Sequence, residues 1–305
     1  MQLSSSQLSY LYSSLFQVPT IRPDARKSTQ FRPLFAQINV LPLTYGSSCI
    51  KWDDTHVVVG IKAEIIDALD LQTLHECKKG GKISINVEIF PDASQENCED
   101  DSMSAFLTQS LQQFLSGIRP ECLLVTSTKA WNIFIDAVVI SSNSHSLPAL
   151  SLAMYLALQT ARLPHIIAHI APENMKFRED IQNIGSGEFE VDYDLKNSVP
   201  IPDIEKVGVV IFVGNVGENI LYDLSADEMA VVEGLLAVGV LQNGQIAYTR
   251  RICISGTYKR SCLKHSIIKN MLKGAAIMGK ELIRKSKEDI INQANNNQIG
   301  FLYSF

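Results

Sequence analysis

Apolar residues recur along the first half of the chain at the spacings of strands and helices. Residues 82–90 carry apolar side chains at every second position, which predicts a strand with one buried face. Ser102 is predicted to be the N-cap of a helix that ends before Pro120. Residues 131–140 are almost continuously apolar, which predicts a strand buried on both faces. The pattern also predicts helices at 3–16 and 149–163, and strands at 38–43, 49–52, 57–65 and 166–170.

The second half of the chain shows the same mixture of segments. Asn243-Gly244 between two strand-like runs is the strongest local signal for a hairpin, and Gly214-Asn215 is predicted to form another turn. Each half combines strands with covering helices, which predicts an α+β architecture. The predicted strands are 207–213, 220–224, 235–241 and 246–255, with a helical turn at 226–232 and a long helix from about Ser261. The predicted divisions are an N-terminal helix and basic loop (1–30), a first lobe (31–172), a junction (173–202), a second lobe (203–290) and a polar tail (291–305).

Composition narrows the class of protein without indicating its function. The chain has 305 residues, of which 46% are hydrophobic and 19% charged, and its net charge is −5. These values exclude a disordered acidic chain and argue against binding nucleic acid through overall basicity. No apolar run approaches the ~18 residues of a membrane span, so no membrane association is expected. The N-terminal segment before Thr20 lacks Lys and Arg, and the six cysteines form no C-x-x-C pair, which predicts reduced thiols and no leader.

Several short motifs, taken together, carry a family resemblance. They are Arg22-Pro23-Asp24-Ala25-Arg26 followed by Phe31-Arg32-Pro33, Tyr45-Gly46-Ser47-Ser48, VVVGIKAE at 57–64 and WNIFID at 131–136. In this order they resemble the RNase PH family over about residues 10–283, and best of all the non-catalytic, scaffold-like ring subunits of the eukaryotic RNA exosome. The resemblance implies an RNase PH fold, with two β-α lobes whose mixed sheets are covered by helices. Ala25 stands where the family usually has Gly, so the loop is expected to turn differently.

Active members of this family degrade RNA from its 3′ end with inorganic phosphate, and each catalytic position can be inspected in this chain. Arginines suit the chemistry because their permanently charged forks can hold two anions close together. At the family's arginine positions this chain has Gln109, Gln112 and Pro148. The carboxylate motif keeps Asp223 but has Met229 at its last acidic position. The prediction is a non-catalytic subunit without phosphate-binding residues, metal or other cofactor.

The resemblance also implies partners and a cellular role. It implies a six-membered ring with other RNase PH-like exosome subunits, RNA-binding cap subunits, an associated exoribonuclease and RNA passing through a central pore. The implied role is rRNA processing and mRNA turnover in the nucleus, nucleolus and cytoplasm. Lys78, Lys79 and Lys82 are candidate RNA contacts, since they follow the 57–64 motif in a region near the pore of such rings. Two alternatives remain: a phosphorolytic 3′-to-5′ exoribonuclease whose site is completed by a neighbouring subunit, and a free-standing RNA-binding protein.

Other residues could form functional sites, but a structural role is the favoured interpretation for each of them. Lone acidic turns and basic pairs are usually solvated, and the histidines at 165 and 169 are predicted to lie on a strand. The alternatives are a metal site at Asp223, Asp227 and Glu228, zinc ligands at His165 and His169, a nucleophilic triad around Ser144-His145-Ser146, a nucleotide-binding loop at 213–217, and RNA contacts at Arg250-Arg251 and Lys259-Arg260.

Overall fold

Two β-sheets, with helices between and beside them, form the framework of the protein. The computed structural model describes residues 3–67, 80–90, 99–115, 117–126, 129–142, 145–168, 189–192, 194–252, 263–296 and 301–303. The helices are α1 (Ser5–Phe16), α2 (Glu99–Leu115), α3 (Leu147–Thr160), α4 (Ala226–Val231) and α5 (His265–Asn296). The strands up to the junction are β1 (Leu34–Ile38), β2 (Gly46–Trp52), β3 (Thr55–Asp67), β4 (Lys82–Ile89), β5 (Lys129–Ser141), β6 (Arg162–Leu163) and β7 (His165–Ala168). Those that follow are β8 (Phe189–Asp192), β9 (Val199–Pro200), β10 (Val209–Val216), β11 (Asn219–Tyr222), β12 (Gly234–Val240), β13 (Ile246–Ile252) and β14 (Phe301–Tyr303).

The first sheet has the strand order β14-β1-β2-β3-β5-β4. Its neighbouring strands are antiparallel, except that β4 and β5 run parallel. α2 lies in the connection between these two strands, because a parallel pair needs a crossover. Two predicted boundaries are wrong here. α2 already contains the predicted N-cap Ser102, and β1 ends at Ile38, where the predicted strand was expected to begin. The left-handed backbone of Asn39, with φ of 55°, ends that strand.

The second sheet has the order β11-β10-β12-β13 and is antiparallel throughout. Every residue of β10 and β12 is buried, with α3 packed against β10 and α5 packed against both strands. The prediction that residues 131–140 are buried on both faces is wrong. Within β5 buried side chains alternate with less buried ones, and Asp136 and Ile140 are exposed. The alternate side chains of β5 point away from the helices, so an apolar run was not evidence of two covered faces.

Helix α3 is the element that joins the two sheets. It packs against β2 and β3 of the first sheet and against β10 of the second, and eleven of its residues are buried. A helix that is apolar all round fits only such a central position. The buried Ser151 hydroxyl on this helix donates to the Pro148 carbonyl at 2.8 Å and accepts a hydrogen bond from the Val210 backbone N–H of β10 at 2.9 Å. The predicted helix at 149–163 is confirmed in position, although it ends at Thr160.

The two ends of the chain pack onto the sheets. Leu11 and Leu15 of α1 are buried, and the helix packs against α4 and β10 of the second lobe. α5 continues past the predicted boundary at 290 to Asn296, and β14 then pairs with β1. The predicted polar tail therefore contains the end of a helix and an edge strand. Of the helices in the described residues, none is both long and apolar enough to cross a membrane.

The turns show where local sequence signals succeeded and failed. The Asn243-Gly244 hairpin is confirmed, and Gly244 has a φ of 83°. The predicted turn at Gly214-Asn215 is wrong, because both residues lie within β10 and the chain turns at Gly217, whose φ is 59°. Ala25 itself has a φ of 60°, so the expected change in the loop is not found at this residue. The hydrogen-bonded surroundings of the loop hold Ala25 in a conformation that normally favours Gly.

Candidate functional site

The positions that correspond to the family's arginines lie on α2 and at the start of α3. Gln109 and Gln112 are exposed on α2. The Gln112 side-chain amide donates a hydrogen bond to the Ile83 carbonyl at 3.0 Å, which fastens the helix to β4. Pro148 occupies the first turn of α3, where its missing N–H costs nothing. None of these three side chains carries a charge that could hold phosphate.

A cavity lies between the two lobes beside Pro148. It has a volume of about 20 Å³, and its lining includes Trp52 of β2, Phe212 of β10 and the predicted Asp223 and Met229. A space of this size holds about one water molecule. The cavity that Pro148 lines is therefore small in this chain.

One buried ion pair joins the N-terminal loop to α4. The Arg22 guanidinium donates to both carboxylate oxygens of Glu228, at 2.7 and 2.6 Å, and neither side chain is exposed. Further guanidinium N–H groups of Arg22 donate to the Tyr222 and Asp223 carbonyls at 3.1 and 2.8 Å. Glu228 also caps α4 by accepting from the Ser225 N–H at 2.9 Å. The pair is bidentate and well satisfied, which is the geometry that a buried charge requires.

The other two arginines of the same loop are paired with Asp223. Its carboxylate accepts from Arg32 Nη2 at 2.8 Å, from the Arg32 backbone N–H at 2.6 Å and from Arg26 Nη1 at 3.2 Å. Arg32 also pairs with Asp53 at 3.2 Å, and Arg26 with Asp24. Asp223 adopts a left-handed φ of 49°, which turns its carboxylate toward this loop. We call Arg22, Arg26 and Arg32, with Asp223 and Glu228, the arginine cluster.

Two aromatic rings pack around His145, which lies three residues before Pro148. His145 packs edge-on between the rings of Phe106 and Phe212, with centroid distances of 5.6 and 5.1 Å. Burial lowers the pKa of His145 to about 4, so the ring is neutral at physiological pH. The Arg250 guanidinium lies 4.3 Å above the Phe106 ring and donates to Ser110 Oγ at 3.2 Å. Arg250 therefore packs against α2, contrary to the interpretation of residues 250–251 as a solvated basic pair.

The remaining candidates do not assemble into catalytic or metal sites in the described residues. Asp223 and Glu228 are occupied by arginines and Asp227 is exposed. No group of three or more metal-ligating side chains is found in the part of the chain that the structure describes. His165 is exposed on β7, which confirms the predicted strand, and the segment 213–217 is strand β10 with its turn rather than a phosphate loop. His169, Ser144, Lys259-Arg260, Lys78 and Lys79 lie outside the described residues, whereas Lys82 is exposed at the start of β4.

Sequence reasoning missed the partners within the arginine cluster. In the sequence, the loop motif indicates the family, and the acidic residues at 223 and 228 suggest a metal site. Nothing in the sequence indicates that the loop arginines pair with these acidic residues. Their pairing joins residues 206 positions apart, and no local pattern encodes such a distance. The available signal was the close spacing of Arg22, Arg26 and Arg32 in a chain with few charges, because any arginine that becomes buried needs a carboxylate.

Comparisons with known proteins identify the class of the molecule. A family model described as "3′ exoribonuclease family, domain 1", of the RNase PH type, matches residues 30–164. An archaeal exosome core structure matches with a TM-score of 0.65 and 20% identity, covering 92% of this chain and 96% of that one. The structure of an Archaeoglobus fulgidus exosome with RNA bound to the active site matches with a TM-score of 0.62 and 18% identity, covering 92% and 97%. These matches and the two-lobed α+β architecture confirm the RNase PH fold.

Curated relatives narrow the class to one family. Exosome complex component rrp42 of Schizosaccharomyces pombe is 37% identical over 94% of this chain and 95% of that protein. Exosome complex component RRP42 of Saccharomyces cerevisiae is 29% identical over 97% of this chain and all of that protein. The chain therefore belongs to the Rrp42 family of exosome complex components, which confirms the resemblance found in the sequence.

Proposed function

We propose that this chain is a structural subunit of an exosome core ring and does not itself carry out phosphorolysis. The names of its full-length relatives support the ring, because similarity extends over the whole length of both chains. In this proposal the chain assembles with other RNase PH-like subunits. RNA is processed from its 3′ end by a nuclease associated with the ring, and cap subunits bind RNA at its entrance.

The arginine cluster is the observation that supports an inactive site. The three guanidinium groups of the cluster already pair with carboxylates, and the positions expected to hold the family's other arginines have Gln109, Gln112 and Pro148. Each missing charged contact to a desolvated anion costs about 2–5 kcal/mol. Two such losses slow a reaction by roughly 10³-fold or more, at about 1.4 kcal/mol per tenfold.

The direct test is phosphorolysis by the purified chain, alone and in a reconstituted ring. The assay is the phosphate-dependent release of nucleoside diphosphates from a 3′-labelled RNA. We expect no release from the chain alone and normal incorporation into the ring by gel filtration. Phosphate-dependent release by the chain alone would overturn the proposal. So would loss of a ring's phosphorolysis on changing Gln109 and Gln112 to Ala without loss of assembly, because that result defines a composite site.

The proposal extends to RNA contact and to localisation. Lys82 is exposed at the edge of the first sheet, next in sequence to the segment that contains Lys78 and Lys79. Crosslinking of RNA to the intact ring should give adducts on peptides that contain these lysines, and their absence would exclude the contact. We also propose that the protein functions in the nucleus, nucleolus and cytoplasm. A fluorescent fusion that assembles normally, imaged with a nucleolar marker, should be present in all three.

A further inference from the structure

The outer surface of α5 carries basic residues in a line. At 100° per residue, the side chains at 269, 273, 280, 284 and 287 fall within an arc of about 60°. At 1.5 Å per residue, the line is about 27 Å long. Met271, Ala275 and Leu282 are buried against the second sheet on the opposite side of the helix. We call the residues of this line the basic stripe: Lys269, Lys273, Lys280, Arg284 and Lys287.

Three of the five charges of the stripe are not balanced by any residue that the structure describes. Lys269, Lys273 and Lys280 are exposed, and none of them forms an ion pair with any residue that the structure describes. Within the same residues the helix has two ion pairs, Arg284 with Glu288 and Lys285 with Glu281, and both carboxylates lie to one side of the stripe. Lysines four residues apart repel one another and destabilise a helix by about 0.2–0.5 kcal/mol per pair.

This arrangement departs from an ordinary solvated helix face. A solvated helix usually alternates Glu and Lys at this spacing, because each such pair stabilises it. The chain as a whole is acidic, with a net charge of −5, yet residues 269–288 contain six basic and two acidic side chains. A local violation of charge balance with no compensating partner in the fold is typical of a binding surface.

The chemistry of the stripe favours a nucleic acid over a protein partner. Protein interfaces are built around buried aromatic and apolar anchors, whereas the large exposed apolar side chain found beside the stripe, within the described part of α5, is Ile277. Lysine ammonium groups suit phosphates as point charges, and a line of them suits a regularly charged backbone. We propose that the basic stripe binds the phosphate backbone of single-stranded RNA. The surface lies on the far side of the second sheet from α3 and is separate from the function proposed above.

The test compares two double variants of the full-length chain. Lys273→Gln with Lys280→Gln removes two charges from the stripe, and Lys269→Gln with Lys287→Gln removes a second, independent pair. The matched control is Lys285→Gln, on the same helix but paired with Glu281 and off the stripe. Binding of a fluorescein-labelled oligouridylate is measured by anisotropy across a range of potassium chloride concentrations. A labelled oligo-aspartate peptide is measured in parallel as the probe for an acidic protein.

Counterion release sets the size of the expected effect. Each single-strand phosphate contact contributes about −0.7 to the slope of log K against log salt, so each double variant should reduce the slope by about 1.4 and weaken binding by roughly twentyfold at 0.1 M salt. The control should change neither quantity. Unchanged slopes in both double variants would overturn the proposal. Stripe-dependent binding of the aspartate peptide without stripe-dependent binding of RNA would also overturn it. Gel filtration of the reconstituted ring should be unaffected by either double variant, which separates this result from ring assembly.

Discussion

The arginine cluster and the basic stripe are two groups of cations that the fold treats in opposite ways. Arg22 in the cluster is completely buried and donates to both oxygens of Glu228. Lys273 in the stripe is exposed and has no ion pair in the described residues. The cluster connects the N-terminal loop to the second lobe, whereas the stripe lies on the side of α5 opposite the buried Met271 and Leu282. Position in the fold, together with residue type, separates a cation that holds the structure together from one that is available to a ligand.

The comparison also bears on the proposal that this chain does not carry out phosphorolysis. Arginines remain close to the central cavity, but Asp223 accepts hydrogen bonds from Arg26 and Arg32. A guanidinium whose charge is already neutralised by a carboxylate attracts a phosphate less strongly. The presence of basic residues near a cleft is therefore poor evidence of anion binding until their partners are known.

The largest expected effect comes from breaking the buried ion pair. Glu228→Gln leaves the buried Arg22 charge with only the more distant, partly exposed Asp24 at 3.9 Å, and we expect a loss of about 3–5 kcal/mol in the free energy of unfolding. Glutamine can still cap α4, so the variant removes the charge and keeps the cap. Denaturant unfolding provides the measurement, and Asp227→Asn at the exposed neighbouring position is the control. Equal stability of the two variants would show that the cluster does not hold the lobes together.

The next effect depends on pH. Burial lowers the pKa of His145 to about 4 from its usual 6.5, so the unfolded chain binds one more proton than the folded chain between these values. Stability should be fully present above pH 6.5 and fall as the pH drops toward 4, by up to about 3 kcal/mol from this residue. His145→Phe should remove this part of the slope, whereas His265→Gln at an exposed position should not. If His145→Phe kept the same dependence of the unfolding free energy on pH as the unmodified protein, the assignment of that dependence to His145 would be wrong.

A smaller effect tests the loop that carries the arginines. Ala25 has a left-handed φ of 60°, which costs an alanine about 1–2 kcal/mol. Ala25→Gly relieves this strain but increases the entropy of the unfolded chain, so a net stabilisation of about 0.5–1 kcal/mol is expected. Ala105 is exposed on α2, and Ala105→Gly should instead destabilise the protein by about 0.5–1 kcal/mol because glycine disfavours the helix. The two midpoints of denaturant unfolding should therefore shift in opposite directions.

The smallest effect sharpens the contrast with the cluster. Lys273→Gln removes repulsion from Lys269, so stability should rise by a few tenths of a kcal/mol. Lys285→Gln removes an exposed pair with Glu281, so stability should fall by about 0.3–0.5 kcal/mol. A loss above 1 kcal/mol in Lys273→Gln would mean that the stripe is part of the folded framework, and would remove the contrast.

Much of the fold could be predicted because its signals are local. The alternation in residues 82–90, the apolar helix at 149–163 and the Asn243-Gly244 hairpin each predict an element from neighbouring residues, and the structure contains all three. The motif alone also predicts that Gln109 and Gln112 stand where active members of the family have arginine. The boundaries of β1 and α2 could not, because backbone torsions such as that of Asn39 depend on more than local propensity.

The amino-acid sequence by itself determined the α+β class, the family and the uncharged residues at the positions where arginine is expected, because periodicity and motifs are properties of neighbouring residues. Only the tertiary structure decided which strands are covered on both faces, which residues line the cavity between the lobes, and that Arg22 pairs with Glu228, 206 positions away. Pairing and burial depend on which elements meet in space. The free energy of a charge is set by those neighbours and by its access to water, which no local pattern records.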